Sequence, residues 1–202
     1  MRPVERRELL GRRVRLEPLS AGHEADLRRI DDPALFRYLP QAPGDFPQWF
    51  DTALTGRDPL YFAVVVDGVA LGRVSVMRMD LPNGVAEIGN VLWGPGLRRT
   101  PAATEAVFLL LDHLFTLGAR RVEWKCDNRN DASKAAALRL GFTFEGVFRQ
   151  HMLVKGENRD TAWFSLLDSE WPLRRRAILA WLSEANFDGG VQRRPLERSD
   201  AR

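Results

Sequence analysis

Residues 104–117 constrain the fold more than any other stretch of this chain. Val107, Phe108, Leu110, Leu111, Leu114 and Phe115 leave a helix there almost no polar face. A helix that is apolar all round has to be buried by other elements. Gly118 follows as a C-cap stop. On one side lies a strand pattern, residues 86–92, broken after Trp93 by Gly94-Pro95-Gly96. On the other side Val122, Trp124 and Cys126 alternate with Glu123 and Lys125, which predicts a half-buried strand.

The remaining segments read as hairpins and short helices. Residues 14–18 form a strand stopped by Pro18. Ser20 suits an N-cap for a helix beginning near Glu24, and residues 46–54 form a helix with Pro47 in its first turn. Two β-branched runs, 61–66 and 69–77, meet at Asp67-Gly68, the dipeptide that supplies the positive φ of a two-residue turn. Pro82-Asn83-Gly84 turns the chain into strand 86–92. After a helix containing Ser133, strands over about 143–154 and 161–167 are joined by a turn at Gly156-Glu157-Asn158. Strands alternate with helices in the middle and pair as hairpins at both ends, which is an α/β (α+β) domain with a mixed sheet.

The domain is expected to span 1–172. An extra helix over 173–190 carries Ile178, Trp181, Leu182 and Ala185 at helical spacing, suited to packing on its own domain or to a homodimer contact. Residues 191–202 read as a flexible polar tail.

Composition sets outer bounds. A chain of 202 residues with 45% hydrophobic content fits one well-packed domain with extensions. No apolar run reaches the roughly 20 residues that span a bilayer, and the first residues lack the apolar core of a secretory signal. A single cysteine rules out an internal disulfide and suits the cytoplasm. The net charge of +3 is too small and scattered to argue for nucleic acid, but it is compatible with an anionic cofactor.

Arg98 and Arg99 stand just before the buried helix, where unpaired N–H groups and the positive end of the helix dipole favour anions. Farther on come Asn130-Asp131-Ala132-Ser133 and Leu140-Gly141-Phe142. Taken in this order and at these separations, the elements resemble the GCN5-related N-acetyltransferases (GNAT), most closely their ribosomal-protein N-terminal acetyltransferase-like (RimJ/RimL-type) branch. The resemblance runs from about Val14 to Pro172 and implies a mostly antiparallel twisted sheet flanked by helices.

That resemblance implies acetyl-CoA as co-substrate, an amine as acceptor and no metal. The pantetheine arm would pair with Val91, Leu92 and Trp93. The pyrophosphate would lie on Arg98, Arg99, Thr100, Ala102, Ala103 and Thr104, where Pro101 replaces the family's glycine and removes one amide donor. Asn130 would bind pantetheine or CoA. Ser133 would sit beside the thioester sulfur, either as the general acid or simply as a residue of the helix start. For the base, the residue count places Met152 where close relatives carry a glutamate. Glu87, acting through water, is the preferred base. His151 is its competitor, expected to point away because neighbouring residues on a strand face opposite sides. Cys126, on an apolar strand face, reads as structural. The different-class alternative is a non-catalytic CoA-binding or regulatory module with a degenerate pyrophosphate loop.

Overall fold

The computed structural model describes residues 1–196, so the last part of the expected tail, 197–202, lies outside the described residues. Ten strands and five α-helices follow in chain order. They are β1 (Leu9–Leu10), β2 (Arg15–Pro18), α1 (Glu24–Arg28), α2 (Phe46–Thr55), β3 (Leu60–Val66), β4 (Val69–Asp80), β5 (Val85–Trp93) and α3 (Pro101–Thr116). After these come β6 (Arg121–Asp127), α4 (Asp131–Leu140), β7 (Thr143–Val154), β8 (Glu157–Leu167), α5 (Trp171–Leu182), β9 (Phe187–Asp188) and β10 (Val191–Gln192). Eight strands form one sheet in the order β1-β2-β3-β4-β5-β6-β8-β7. Every pairing in it is antiparallel except β5 with β6, whose parallel run is the geometric consequence of the α3 crossover.

Central strand β3 shows why a three-layer arrangement is required. Phe62 and Val64 point into a core built on α3, whereas Tyr61, Ala63 and Val65 point into a second core beneath α1 and α2. Both faces of the sheet are therefore apolar here and both must be covered. Helix α3 buries Ala106, Leu110, Leu111 and Leu114 completely. Burial of each leucine contributes about 1.5–3 kcal/mol. Helix α5 closes α3 from outside, with the Trp171 ring 5.1 Å from Phe115 and 5.9 Å from Phe108.

Local chemistry accounts for the turns. Asp67 and Gly68 take φ of 49° and 81°, as a two-residue hairpin with right-handed strand twist requires. The β7–β8 turn is built the same way at Lys155-Gly156 (φ 52° and 79°), one residue before the turn expected from sequence, because Glu157 and Asn158 pair in the ladder. Ser20 opens a 3-10 turn, Ala21–His23, that leads into α1.

Three boundaries differ from the expectation. Helix α5 begins at Trp171, inside the expected domain limit, and ends at Leu182, short of the expected 190, with Ala185 in a separate 3-10 turn. The segment expected to be a tail from 191 starts with the β9–β10 pairing, and Leu196 is buried in the main core. Polarity disguised that segment, since Asn186 organises it by donating to the Trp181 and Arg194 carbonyls.

Candidate active site

Strands β5 and β6 pair only at Val85↔Arg121, Ala86↔Val122 and Glu87↔Glu123. Beyond Glu87 they diverge. β5 stays on β4 as far as Trp93↔Gly72, and β6 runs along β8 to Asp127↔Thr161. A bulge drives the split: Arg73 faces Leu92 and Ser75 faces Gly89, so Asn90 and Val91 together oppose Val74. Asn90 takes φ of 51°, and its Nδ2 donates to Ser75 Oγ at 3.1 Å. The inner edge of β5 from Ile88 onward thus has no strand partner among the described residues.

A hollow opens on each side of this split. One is a groove of about 850 Å³ between the start of α3 and the face of α4, lined by Trp93, Arg98, Arg99, Thr104, Ala135 and Arg139 among others. The other is a polar cavity of about 210 Å³ lined by Glu87, Asn90, Lys125, Ser133, His151 and Arg159, with Leu35, Tyr38, Leu39 and Pro40 along one wall. Trp124 lines both.

Residues 13–143 match the acetyltransferase (GNAT) domain family. The chain belongs to the GNAT acetyltransferases. It is accordingly an acyl-CoA-dependent N-acyltransferase. Among solved structures, a GCN5-related N-acetyltransferase from Brucella melitensis is 48% identical, with a TM-score of 0.94 covering 96% of this chain and 94% of that one. The uncharacterized N-acetyltransferase p20 of Bacillus licheniformis is 34% identical over 127 residues, covering 60% of this chain and 68% of p20. A Bacillus subtilis protein, YdaF, provisionally named as a ribosomal N-acetyltransferase, is 32% identical over 115 residues. That match covers 54% of this chain and 59% of YdaF.

In this GNAT site the basic loop is shaped by its own hydrogen bonds. Arg99 adopts φ of 59°, a left-handed conformation uncommon outside glycine. Thr100 caps α3: its Oγ1 donates to the Leu97 carbonyl at 2.7 Å and accepts from Ala103 N–H at 3.3 Å. Pro101 takes the first helical position, where a missing N–H costs no helix bond. The loop is thus poorer in amide donors than its sequence suggested, since Ala103's N–H is engaged as well as Pro101's being absent. Arg98, Arg99, Thr100, Ala103 and Thr104 line the groove, but Ala102 faces a neighbouring hollow with Arg13 and Phe187.

On β5 the three expected pantetheine contacts part company. Val91 lines the cavity and Trp93 the groove, whereas the Leu92 side chain enters the second core on the opposite face. Asn130 lines the cavity, but its Oδ1 is committed to capping α4, accepting from Ser133 N–H at 3.1 Å. Ser133 is therefore a first-turn residue whose hydroxyl points elsewhere. Its Oγ accepts from the Trp124 indole at 2.9 Å, with the Cys126 thiol also within hydrogen-bond reach. Burial pushes that thiol's pKa up, opposed by Ser133, Arg159 and Lys134, so Cys126 stays protonated and structural.

Glu87 is buried, and Lys125 Nζ lies 3.0 Å from its Oε2, with Arg78 Nε at 3.5 Å. That contact pairs the buried carboxylate with the lysine's charge. Burial raises the Glu87 pKa above the ordinary carboxylate value, opposed by Lys125 and Arg78. His151 corrects an expectation. Phe148 pairs with Thr161 and Met152 with Arg159, so three residues of β7 bulge over one of β8, and Gln150 takes φ of 48°. The alternation fails there, and both His151 and Met152 line the cavity. His151 Nδ1 sits 2.9 Å from Thr161 Oγ1.

Sequence reasoning missed several groups. Lys125 looked like the solvent face of a strand but lies between Glu87 and Glu123, 3.6 Å above the Trp163 ring. Arg139 donates to Thr104 Oγ1 at 3.0 Å and rests 4.5 Å over the Trp181 ring. Burial lowers its pKa. A signal existed, since Ala132, Ala135 and Ala136 form a small-residue stripe on the α4 face that ends at Arg139.

Proposed function

We propose that this enzyme transfers the acetyl group of acetyl-CoA to a primary amine (a protein N-terminus, an amino acid or a small amine) by direct attack within a ternary complex. The observation that carries the reading is the split between β5 and β6, which joins a basic groove to a polar cavity at Trp124. In this reading the co-substrate's pyrophosphate lies on Arg98, Arg99 and the start of α3. Arginine supplies charge-assisted bonds there in place of the amides the loop lacks. The pantetheine arm pairs with the free edge of β5 near Val91 and Trp93, in the manner of an added strand.

The acceptor enters the cavity beneath the 35–40 segment. An α-amine is largely protonated near neutral pH, so attack requires removal of a proton. Glu87 takes that proton through water, and its raised pKa brings it closer to the amine's. His151, in the same cavity, is the competing base. Ser133 returns a proton to the departing thiolate. Its oxygen receives the Trp124 N–H, which leaves its own hydrogen to donate. Neither role needs a covalent acyl-enzyme, in keeping with the buried, protonated Cys126. The reading places the protein in the cytoplasm. No helix among the described residues is long and apolar enough to cross a membrane.

Calorimetric titration of acetyl-CoA into the wild type and the Arg98→Glu/Arg99→Glu variant tests the co-substrate site. Binding in the wild type, weakened by about 1–3 kcal/mol in the variant, is expected. Equal affinity in the two proteins overturns the site.

A further inference from the structure

Arg73 on β4 is almost fully buried, at 1% exposure, yet no carboxylate among the described residues stands close enough to influence it. Its guanidinium lies 3.5 Å over the Trp49 ring, with the Tyr61 side chain in hydrogen-bond reach and a long bond from Nη2 to Gln41 Oε1 at 3.4 Å. Nε and Nη1 have no partner, and neither does the buried Trp49 Nε1. Both residues line one void of about 10 Å³ beneath Phe36, Gln41 and Ala42. Burial lowers the Arg73 pKa to about 10, with Tyr61 opposing, so the group stays cationic at neutral pH.

Three orphan N–H donors around a buried positive charge make an unbalanced arrangement. A water would fill a void of that size and satisfy hydrogen bonds, but it would leave the charge unpaired. A carboxylate meets both needs, because its two oxygens match the guanidinium fork. The void and the acceptor cavity lie on the same face of the sheet. Met77 lines that cavity, Ser75 holds Asn90 at its edge, and Arg73 follows on the same face of β4. The same connecting segment roofs both hollows, through Tyr38, Leu39 and Pro40 over one and Gln41 and Ala42 over the other.

We propose that Arg73, with the Trp49 indole, anchors a carboxylate carried by the acceptor, so that the enzyme acetylates amines bearing an acidic group on the same molecule. The proposal rests on the acyl transfer read above. The incoming carboxylate displaces the Gln41 side-chain amide and leaves the amine toward the split.

The test compares ω-amino acids of two to six carbons with their amides as acceptors, for wild type and Arg73→Met. At the best chain length the wild type favours acid over amide at least tenfold in kcat/KM. Arg73→Met brings that ratio to about one and leaves the KM for acetyl-CoA unchanged. No acid preference at any length, or a preference that survives in Arg73→Met, overturns the assignment. If acetyl-CoA binds but none of these amines is acetylated, the acids alone still decide: a rise in melting temperature for wild type and not for Arg73→Met supports the anchor, and no rise refutes it. Failure of acetyl-CoA itself to bind strikes the acyl-transfer reading instead and leaves this anion test standing. Should Arg73→Met not fold, Arg73→Lys and Trp49→Phe carry the same comparison. Each is expected to raise the KM for acids several-fold and leave amides unaffected, and an equal effect on both would make Arg73 structural.

Discussion

Ser133→Ala separates a catalytic hydroxyl from a structural one. In the wild type, Ser133 Oγ is the acceptor for the indole N–H of Trp124, a buried residue, at 2.9 Å. Removing the hydroxyl leaves that N–H unsatisfied, at a cost of about 1–3 kcal/mol. For a chain of this size each kcal/mol lowers the melting temperature by roughly 2–4 °C. If Ser133 also protonates the leaving thiolate, kcat falls by roughly 10²- to 10⁴-fold while acetyl-CoA affinity holds. Trp124→Phe removes the donor, so the two substitutions should couple in stability. The stability loss from Ser133→Ala should shrink in the Trp124→Phe background, whereas its kcat loss should persist there. Melting curves and single-turnover rates on the four proteins of the cycle measure both. A kcat loss that disappears in the Trp124→Phe background would show that Ser133 only positions the indole, and the acid role would be wrong.

Other expectations follow from the same geometry. Burial disfavours ionised Glu87 and raises its pKa, so wild-type kcat/KM should fall with decreasing pH at a point above the ordinary carboxylate range; Glu87→Gln should lose that limb and recover rate as the amine deprotonates at higher pH, in a pH–rate profile. His151→Ala should be mild, and a collapse there with near-normal Glu87→Gln activity would transfer the base to His151. Pro101→Gly restores an amide donor at the start of α3 and should give equal or tighter acetyl-CoA binding by calorimetry, with stability lower by about 0.4–1 kcal/mol in denaturant unfolding.

Much of this fold was legible because its strongest signals are local. The all-apolar stretch near Leu110, the Asp67-Gly68 turn and the alternation of Val122, Trp124 and Cys126 each dictate an element without tertiary help. The site was less legible because it is assembled where local rules fail. A bulge at Gln150 turns His151 into the cavity, and another at Asn90 opens the β5 edge, yet neither residue is a glycine that would have marked it. Leu92 could not be assigned a face without knowing where that second bulge lay. Lys125 looked like a solvent-facing position, and nothing in the sequence marked Arg73 as buried, because strand polarity alone does not distinguish water from a buried charged pocket. The polar 187–196 segment concealed a wall of the basic groove, since its order depends on Asn186 and on burial of Leu196 rather than on apolar periodicity.

The central claim is direct transfer within a ternary complex, and initial rates of CoA release over a matrix of acetyl-CoA and amine concentrations test it most directly. The account predicts amine-dependent release with intersecting double-reciprocal lines and no acetyl group left on the protein. Parallel lines with an acetylated side chain, at Cys126 or elsewhere, would contradict it.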